Sequence, residues 1–384
     1  MERLVDRLDH ESLTRRTRER AEDIRGAYYR DTTAIIHSSP FSRLKHKTQV
    51  FFAPANDHIC TRMEHVLHVA SIASTICKAF GLDSELAWAI GMGHDLGHTP
   101  FGHVGERIIS SLFQERGLGS FEHEVNSLRV VRHLSNHGRG LNLTYAVQDG
   151  IVSHCGEHFL QRLSPDERVK DLDAIVTRKD LVPATWEGVA VRFSDSIAYL
   201  GRDWEDARRL GLLEGCPPLP EDVAEVLGRS NSAIINNLVM DLIENSGSSG
   251  MGFSDRMYQA ILEMSSYNYR YIYRSELLEG YTRYFTRLIR LIVGYLDELM
   301  EKHGTDRKGY DEERNMLAAG FYAHLMELKD SYLEREGNLD RLVLDYVAGM
   351  SDNFALDCAN EILKPEHLND RIEQSQRGKW FDVQ

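Results

Sequence analysis

Apolar residues recur along this chain at intervals of three and four. No run alternates apolar with polar for long enough to build a sheet, so the backbone is confined to packed helices. From Glu64 to Phe80, Val66, Val69, Ala70, Ala73, Ile76, Cys77 and Phe80 form one stripe, and Gly81 follows where a left-handed helix cap belongs. Ser84 to Gly93 is a shorter helix (Leu86, Ala87, Ile90) that runs into His94-Asp95. The same period predicts helices at about 105–116, 121–136, 144–155, 187–210, 221–244, 254–275, 280–302, 311–335 and 338–363. Gly211 to Pro220 holds Pro217-Pro218 and cannot be helical throughout. Asn245 to Gly252 is a flexible loop by composition, and His303 to Gly309 reads as a polar turn. None of these breaks makes a domain linker and no internal repeat is visible, so the expectation is one all-α unit.

Composition narrows the class further. With 384 residues, 42% hydrophobic and 27% charged, the chain can bury a large core, which excludes a disordered tail, a disulfide miniprotein and a collagen-like fibre. The longest apolar stretch, Leu288 to Leu296, carries Arg290 and falls short of the roughly 18–20 residues of a membrane span. The opening Met1-Glu2-Arg3-Leu4-Val5-Asp6 has no apolar signal region, and the five scattered cysteines form no C-x-x-C pair. A reducing cytoplasm is the expected location. Against 45 basic residues stand 59 acidic ones, and the net charge of −14 argues against non-specific nucleic-acid binding by the chain as a whole. The Arg-rich opening (Arg15, Arg16, Arg18, Arg20, Arg25, Arg30) alternates with acids and reads as a solvated or oligomer-contact helix ahead of a nucleic-acid arm.

Histidine is the informative residue. Of 17, eleven lie between residues 58 and 158 (His58, His65, His68, His94, His98, His103, His123, His133, His137, His154, His158), where even scatter would put about four or five. Four side chains stand out as metal ligands: His65 on the striped helix, the His94-Asp95 pair at the end of the next, and Asp195 on a later one. A divalent cation takes imidazole and carboxylate ligands, and rigid helices hold coordination geometry better than loops. The two carboxylates would cancel a 2+ charge. An isolated His-Asp pair is a weak signal; its setting strengthens it. His94-Asp95-Leu96-Gly97-His98-Thr99-Pro100-Phe101-Gly102-His103 packs three histidines, two glycines and a proline between two helices, more imidazole than a structural loop needs.

At these residues the sequence resembles the HD-domain superfamily, and within it the deoxynucleoside triphosphate triphosphohydrolase (dGTPase-like) family. Ile35 to Leu44 followed by Lys47-Thr48-Gln49-Val50-Phe51 looks like the family's N-terminal signature, Arg62-Met63-Glu64-His65 its first ligand motif, and His94 to Glu106 its extended loop. Phe121-Glu122-His123-Glu124 and Asp195-Ser196-Ile197-Ala198-Tyr199 with Arg202-Asp203 are similar to the later motifs; beyond residue 210 the match is loose, near Tyr271-Ile272-Tyr273-Arg274. One departure is Val66, where the family usually has Ser or Thr after the ligand histidine. The resemblance implies an HD-domain helical core with additional C-terminal helices. Residues 1–48 would form an N-terminal helical or oligomer-contact segment, 49–210 the metal-binding core, and 211–384 a helical region completing the nucleotide site.

It also implies hydrolysis of a dNTP between the 5′-oxygen and the α-phosphorus, releasing deoxynucleoside and triphosphate. One divalent cation per site (Mn, Mg, Fe, Co or Ni) would polarise an α-phosphate oxygen and lower the pKa of water, each worth several kcal/mol. His103 is the expected general acid with Glu106 orienting it, since a spacing of three places both on one side of a helix starting near Gly102. His98 and His123 are phosphate-contacting or secondary acid/base groups; His68, one turn from His65, reads as an ordinary helix histidine ahead of a supporting one. Asp195, Tyr199 and Asp203 recur every four residues with Arg202 beside them, a row suited to a nucleotide groove. Tyr199 and Asp203 would reach phosphate and the 3′-hydroxyl, Gln49 would read the sugar, and Arg62 would neutralise phosphate, with Tyr273 and Arg274 added from the C-terminal region. The resemblance further implies a homo-oligomer (dimer to hexamer), a second dNTP as activator and weak single-stranded DNA contact, with no membrane. Two other readings stand beside it. One is an HD phosphohydrolase acting on a monophosphate, cyclic dinucleotide or guanosine polyphosphate. The other is a nucleotide-sensing or single-strand-binding protein with a vestigial site.

Overall fold

The structure is a computed structural model describing residues 3–21, 23–52, 56–155 and 159–364; His158 lies outside the described residues. Among them are seventeen α-helices. These are α1 (His10–Thr14), α2 (Gly26–Ile36), α3 (Ser39–Arg43), α4 (Arg62–Phe80), α5 (Ser84–Gly93), α6 (Gly102–Glu115), α7 (His123–Arg129), α8 (Tyr145–Val152) and α9 (Trp186–Arg209) in the first part of the chain. There follow α10 (Glu221–Leu227), α11 (Asn231–Asn245), α12 (Asp255–Asn268), α13 (Glu276–His303), α14 (Arg307–Glu313), α15 (Met316–Glu336), α16 (Leu342–Ala348) and α17 (Asp352–Leu363). The fold is all-α. The strands among the described residues are two-residue segments, β1 (Arg162–Leu163) and β2 (Met251–Gly252), paired antiparallel. No helix of the described residues is long and apolar enough to cross a membrane.

The central helix α4 begins on a capping box: Thr61 Oγ1 accepts from the Glu64 amide, and the Glu64 carboxylate accepts from the Thr61 amide. It ends at Gly81, whose φ of +71° closes it as the sequence predicts. Val66, Val69, Ala70, Ala73, Ile76, Cys77 and Phe80 are all buried, so the valine after His65 serves core packing. On α5, Asp83 caps by accepting from Glu85 and Leu86, and Gly91 lies so close to Ala70 that a Cβ there would meet its Cα at 2.7 Å. The two helices pack backbone to backbone, with α9 across them.

The buried apolar residues form two clusters. One apolar cluster runs from Leu4 to Leu278 and takes in Leu13, Tyr28, Ile35 and Leu44 of the N-terminal segment as well as α10–α12. The second joins α6 (Ile108, Ile109, Leu112, Phe113) to α13–α17. Across the seam Arg129 of α7 reaches Asp345 of α16 at 2.9 Å, where Tyr332 also donates to the same carboxylate at 2.6 Å.

Several expected elements are corrected. The span 221–244 is two helices, because Gly228 adopts φ +108° and Ser230 caps a new start. The spans 311–335 and 338–363 break at the left-handed Arg314 and around Gly349, where Asn315 and Ser351 recap. The Arg-rich opening carries Arg15, Arg16, Arg18, Arg20 and Arg25 outside helices, and only Arg30 is helical, in α2. Its arginines bind the chain's own carbonyls and acids, Arg16 reaching Asp31 and the Asn142 carbonyl at 2.5 Å. The glycine-serine loop is tied down by its pairing of Met251–Gly252 with Arg162–Leu163.

Candidate active site

His65, on the buried face of α4, brings Nε2 to 2.9 Å from Asp195 Oδ1 on α9. His94 follows the last turn of α5, with Nε2 3.8 Å from Asp95 Oδ1 and 3.9 Å from Asp195 Oδ1. Its Nδ1 lies 2.7 Å from the Gly91 carbonyl. A carbonyl only accepts, so Nδ1 carries the proton and Nε2 presents a lone pair. That Nε2 is buried without a hydrogen-bond partner. Burial, opposed by Asp95, holds the His94 pKa at about 4, so the ring is neutral near pH 7. Burial favours protonated Asp195, but the hydrogen bond and charge of His65 outweigh it and bring the carboxyl to about 2. The donor atoms of His65, His94 and Asp195 lie within 4.8 Å of one another. Two imidazoles and two ionised carboxylates around an orphaned lone pair fit a divalent cation, with no preference among Mn, Mg, Fe, Co and Ni.

Arg62, expected to neutralise phosphate, lines the cavity and is also bound into this cluster. Its Nη1 donates to Asp95 Oδ2 at 2.7 Å, Nε to the Thr48 carbonyl at 3.2 Å and Nη2 to the Gln49 carbonyl at 3.3 Å. The guanidinium is buried and its three nitrogens are engaged. The physical reason is Asp95: burial alone would protonate it, and Arg62 is the strongest influence keeping its pKa well below the usual range.

Six of the histidines form one chain of ring contacts. His65 touches His94 (centroids 5.4 Å), His94 touches His154 (4.9 Å), His154 touches His123 (5.3 Å), His123 stacks on His98 (4.1 Å) and His98 meets His103 (5.4 Å). Glu106 binds His123 more closely than His103. Its Oε1 is 3.0 Å from His123 Nδ1 and accepts from the His123 amide at 2.9 Å, whereas His103 Nδ1 is 3.5 Å from Oε2. Burial lowers the His123 pKa, but Glu124 and Glu106 outweigh it and push it up to about 10. His123 is therefore an imidazolium whose Nδ1–H faces Glu106 and whose Nε2–H faces His154 Nε2 at 3.3 Å. His154 Nδ1 in turn donates to the Ile151 carbonyl at 2.6 Å. His98, buried, has no partner on either ring nitrogen, and burial holds its pKa well below the usual value.

The cluster opens onto a cavity of about 610 Å³. Its lining includes Asp95, His98, His103, Glu106 and His123, together with Tyr199, Asp203, Tyr273 and Arg274, and Gln49, Arg62 and Asp195. Tyr273 donates to Asp203 Oδ2 at 2.5 Å, and burial pushes the Asp203 pKa up to about 6. Arg274 lies 5.0 Å over the Tyr269 ring. Gln49 Oε1 is buried and unpartnered. Arg202 does not line the cavity. Its Nε meets Asp206 Oδ1 at 3.1 Å and its Nη2 the His58 carbonyl at 3.1 Å. From Asp195 to Asp203 the row drifts around α9, which turns Arg202 toward Asp206, its neighbour four residues on. His68 is also outside the lining.

The structure adds residues that no motif singled out. His154 joins the ring chain, and its only signal was the histidine count. Arg107, Arg178 and Asn268 line the cavity. Arg178 holds Glu124 at 2.7 Å, and Asn268 leaves a buried Oδ1 unpartnered. Arg107 is exposed, follows Glu106, and has no ion pair or hydrogen bond among the described residues.

An HD domain matches residues 62–179 and a phosphohydrolase-associated domain residues 251–361. A deoxyguanosinetriphosphate triphosphohydrolase-like protein of Caldanaerobacter subterraneus subsp. tengcongensis is 35% identical over 356 residues, 92% of this chain and 90% of that one. One of Clostridium tetani is 34% identical over 356 residues, covering 91% of this chain and 89% of that one. A solved structure of a hypothetical protein from Aquifex aeolicus aligns with a TM-score of 0.39 at 19% identity, over 79% of this chain and 70% of that one. The chain belongs to the deoxyguanosinetriphosphate triphosphohydrolase-like family of HD-domain hydrolases.

Proposed function

We propose that this protein hydrolyses deoxynucleoside triphosphates to deoxynucleoside and inorganic triphosphate. The observation that carries the reading is one cavity whose lining brings together two carboxylates of the cation-ligating cluster, His98, His103 and His123, and the hydrogen-bonded Tyr273–Asp203 pair. Its volume of about 610 Å³ falls within the range of small-ligand sites. The names of the relatives point to the same class of substrate.

His65, His94, Asp95 and Asp195 would hold a divalent cation, which when bound would supply Lewis-acid polarisation of a phosphate oxygen and a more acidic water. The remaining steps belong to the chain. His103, with 44% of its side chain exposed, protonates the departing 5′-oxygen while Glu106 orients it. His123 uses both ring N–H groups on Glu106 and His154, so it acts as a fixed positive charge holding Glu106 in place. His98, neutral, offers the single N–H of its two unpartnered ring nitrogens to a phosphate oxygen, which satisfies a buried donor. Among the described residues, Arg107 and Arg274 are the cavity arginines without a carboxylate partner, and they face the polyphosphate charge. Asp203, Tyr273, Tyr199 and Gln49 hold the sugar end.

Incubation of the pure protein with each dNTP and Mn or Mg, with products resolved by ion exchange, tests the reading. Inorganic triphosphate is the expected product; pyrophosphate or phosphate would transfer the protein to another HD phosphohydrolase reaction. The same preparation tests the homo-oligomer by light scattering, the activating second dNTP by mixed-substrate kinetics, and single-stranded DNA contact by titration.

A further inference from the structure

The turn that launches α6 is held from the far end of the chain. Phe101 (φ +62°) and Gly102 (φ +56°) are both left-handed, and α6 starts without a side-chain cap. Glycine accepts this conformation and phenylalanine resists it. Asp352, the first residue of α17, supplies the support. Its Oδ1 accepts from the Phe101 amide at 2.9 Å, while its Oδ2 accepts from the Thr48 amide at 2.9 Å and the Thr48 hydroxyl at 2.5 Å. The carboxylate is buried, so three donors from two distant segments take the place of water.

A second contact crosses the same seam. Lys47, also buried, donates Nζ to the His98 carbonyl and to the Ala348 carbonyl. The backbone beside it is pressed onto the turn, since a Cβ at Gly102 would lie 2.7 Å from the Gln49 carbonyl oxygen. The Phe101 ring stacks on Phe285 of α13 at 3.9 Å, which fixes the other side. His103 and Glu106 ride on the first turns of the helix that begins here.

We propose that Asp352 is a positioning residue for His103 and Glu106: by tying the left-handed Phe101 to the Thr48–Gln49 backbone it sets how α6 enters the cavity. Asp352 touches neither the cation ligands nor the cavity, so its effect passes through backbone position. The activity half of the test rests on the proposed dNTP hydrolysis; the exchange half does not.

Asp352→Asn preserves the side-chain size but turns an amide N–H₂ toward one of the donors. The expected result is hydrogen exchange at residues 101–106 at least about tenfold faster, with Mn²⁺ affinity within about twofold of wild type. Turnover of dNTP should fall about twentyfold with KM within about threefold. Asp357→Asn, exposed on the same helix, should leave all four quantities unchanged. If Asp352→Asn does not fold, Thr48→Val removes one of the three bonds and should move exchange and kcat in the same directions by less. The proposal is overturned if a folded Asp352→Asn, or Thr48→Val in its place, keeps wild-type exchange and kcat, or if kcat, KM and Mn²⁺ affinity deteriorate together. Wild-type protein that releases no triphosphate sinks the proposed function instead, and exchange still decides Asp352.

Discussion

His94 and His123 belong to the same chain of imidazoles, and their surroundings drive them to opposite charge states. Around His94 burial dominates and the pKa falls to about 4; around His123 two carboxylates overcome burial and raise it to about 10. The neutral ring suits ligation and the charged ring holds Glu106. His94→Ala should abolish stoichiometric Mn²⁺ uptake, measured by calorimetry, and take hydrolysis with it. The His123 contribution to folding has a defined pH course. Because the folded pKa lies above the ordinary 6.5, the stabilisation is complete below pH 6.5 and fades as pH rises through about 10. His123→Gln should therefore lose about 3 kcal/mol in urea unfolding at pH 6, as breaking a buried pair does, and the gap to wild type should narrow at pH 10. Arg107, at the cavity wall with no carboxylate partner among the described residues, should act on substrate capture: Arg107→Gln should raise KM about fivefold to tenfold at low salt and leave kcat nearly unchanged, with the difference shrinking as salt is added.

At the scale of elements, the loop between α5 and α6 is shaped by close packing more than by flexibility. A Cβ at Gly105 would fall 1.8 Å from the Pro100 carbonyl oxygen, and one at Gly97 would fall 2.1 Å from the Ser127 amide nitrogen. Gly105→Ala should destabilise the fold by about 3 kcal/mol and lower activity, seen as a drop in both melting temperature and kcat. Helix identity was readable from the chain: α4, α5, α9 and α13 lie close to their apolar stripes. Helix ends were less so. Gly228, Arg314 and Gly349 break continuous periodic patterns, because the apolar period persists across a break whenever both pieces pack on the same core. The arginines after Thr14 carry a similar lesson. Their targets, Asp31 and the carbonyls of residues 139 and 142, are distant in sequence, so composition alone could not say whether they face solvent or the chain.

Over the whole molecule, α6 is the link between function and the second core. It carries His103 and Glu106 on one side and buries Ile108, Ile109, Leu112 and Phe113 against α13–α17 on the other. Removing residues 281–384 should expose that face, and the shortened protein should be insoluble or inactive even though His65, His94, Asp95 and Asp195 all remain. Recovery of a soluble fragment with full turnover would show that α6 needs no C-terminal support.

What the sequence alone determined was chemical type and local geometry. The helical period, the histidine excess and the His94-Asp95 setting follow from short-range spacing, and they named the four candidate cation ligands that the fold brings together. What only the tertiary structure decided was which polar groups are already satisfied. Arg62 is taken up by Asp95, Arg202 by Asp206, and Glu106 mainly by His123, while His154 and Asp352 find hydrogen-bond partners remote in the chain. Hydrogen-bond partners and burial are properties of three-dimensional proximity, and one residue's spacing from the next along a helix contains no record of them.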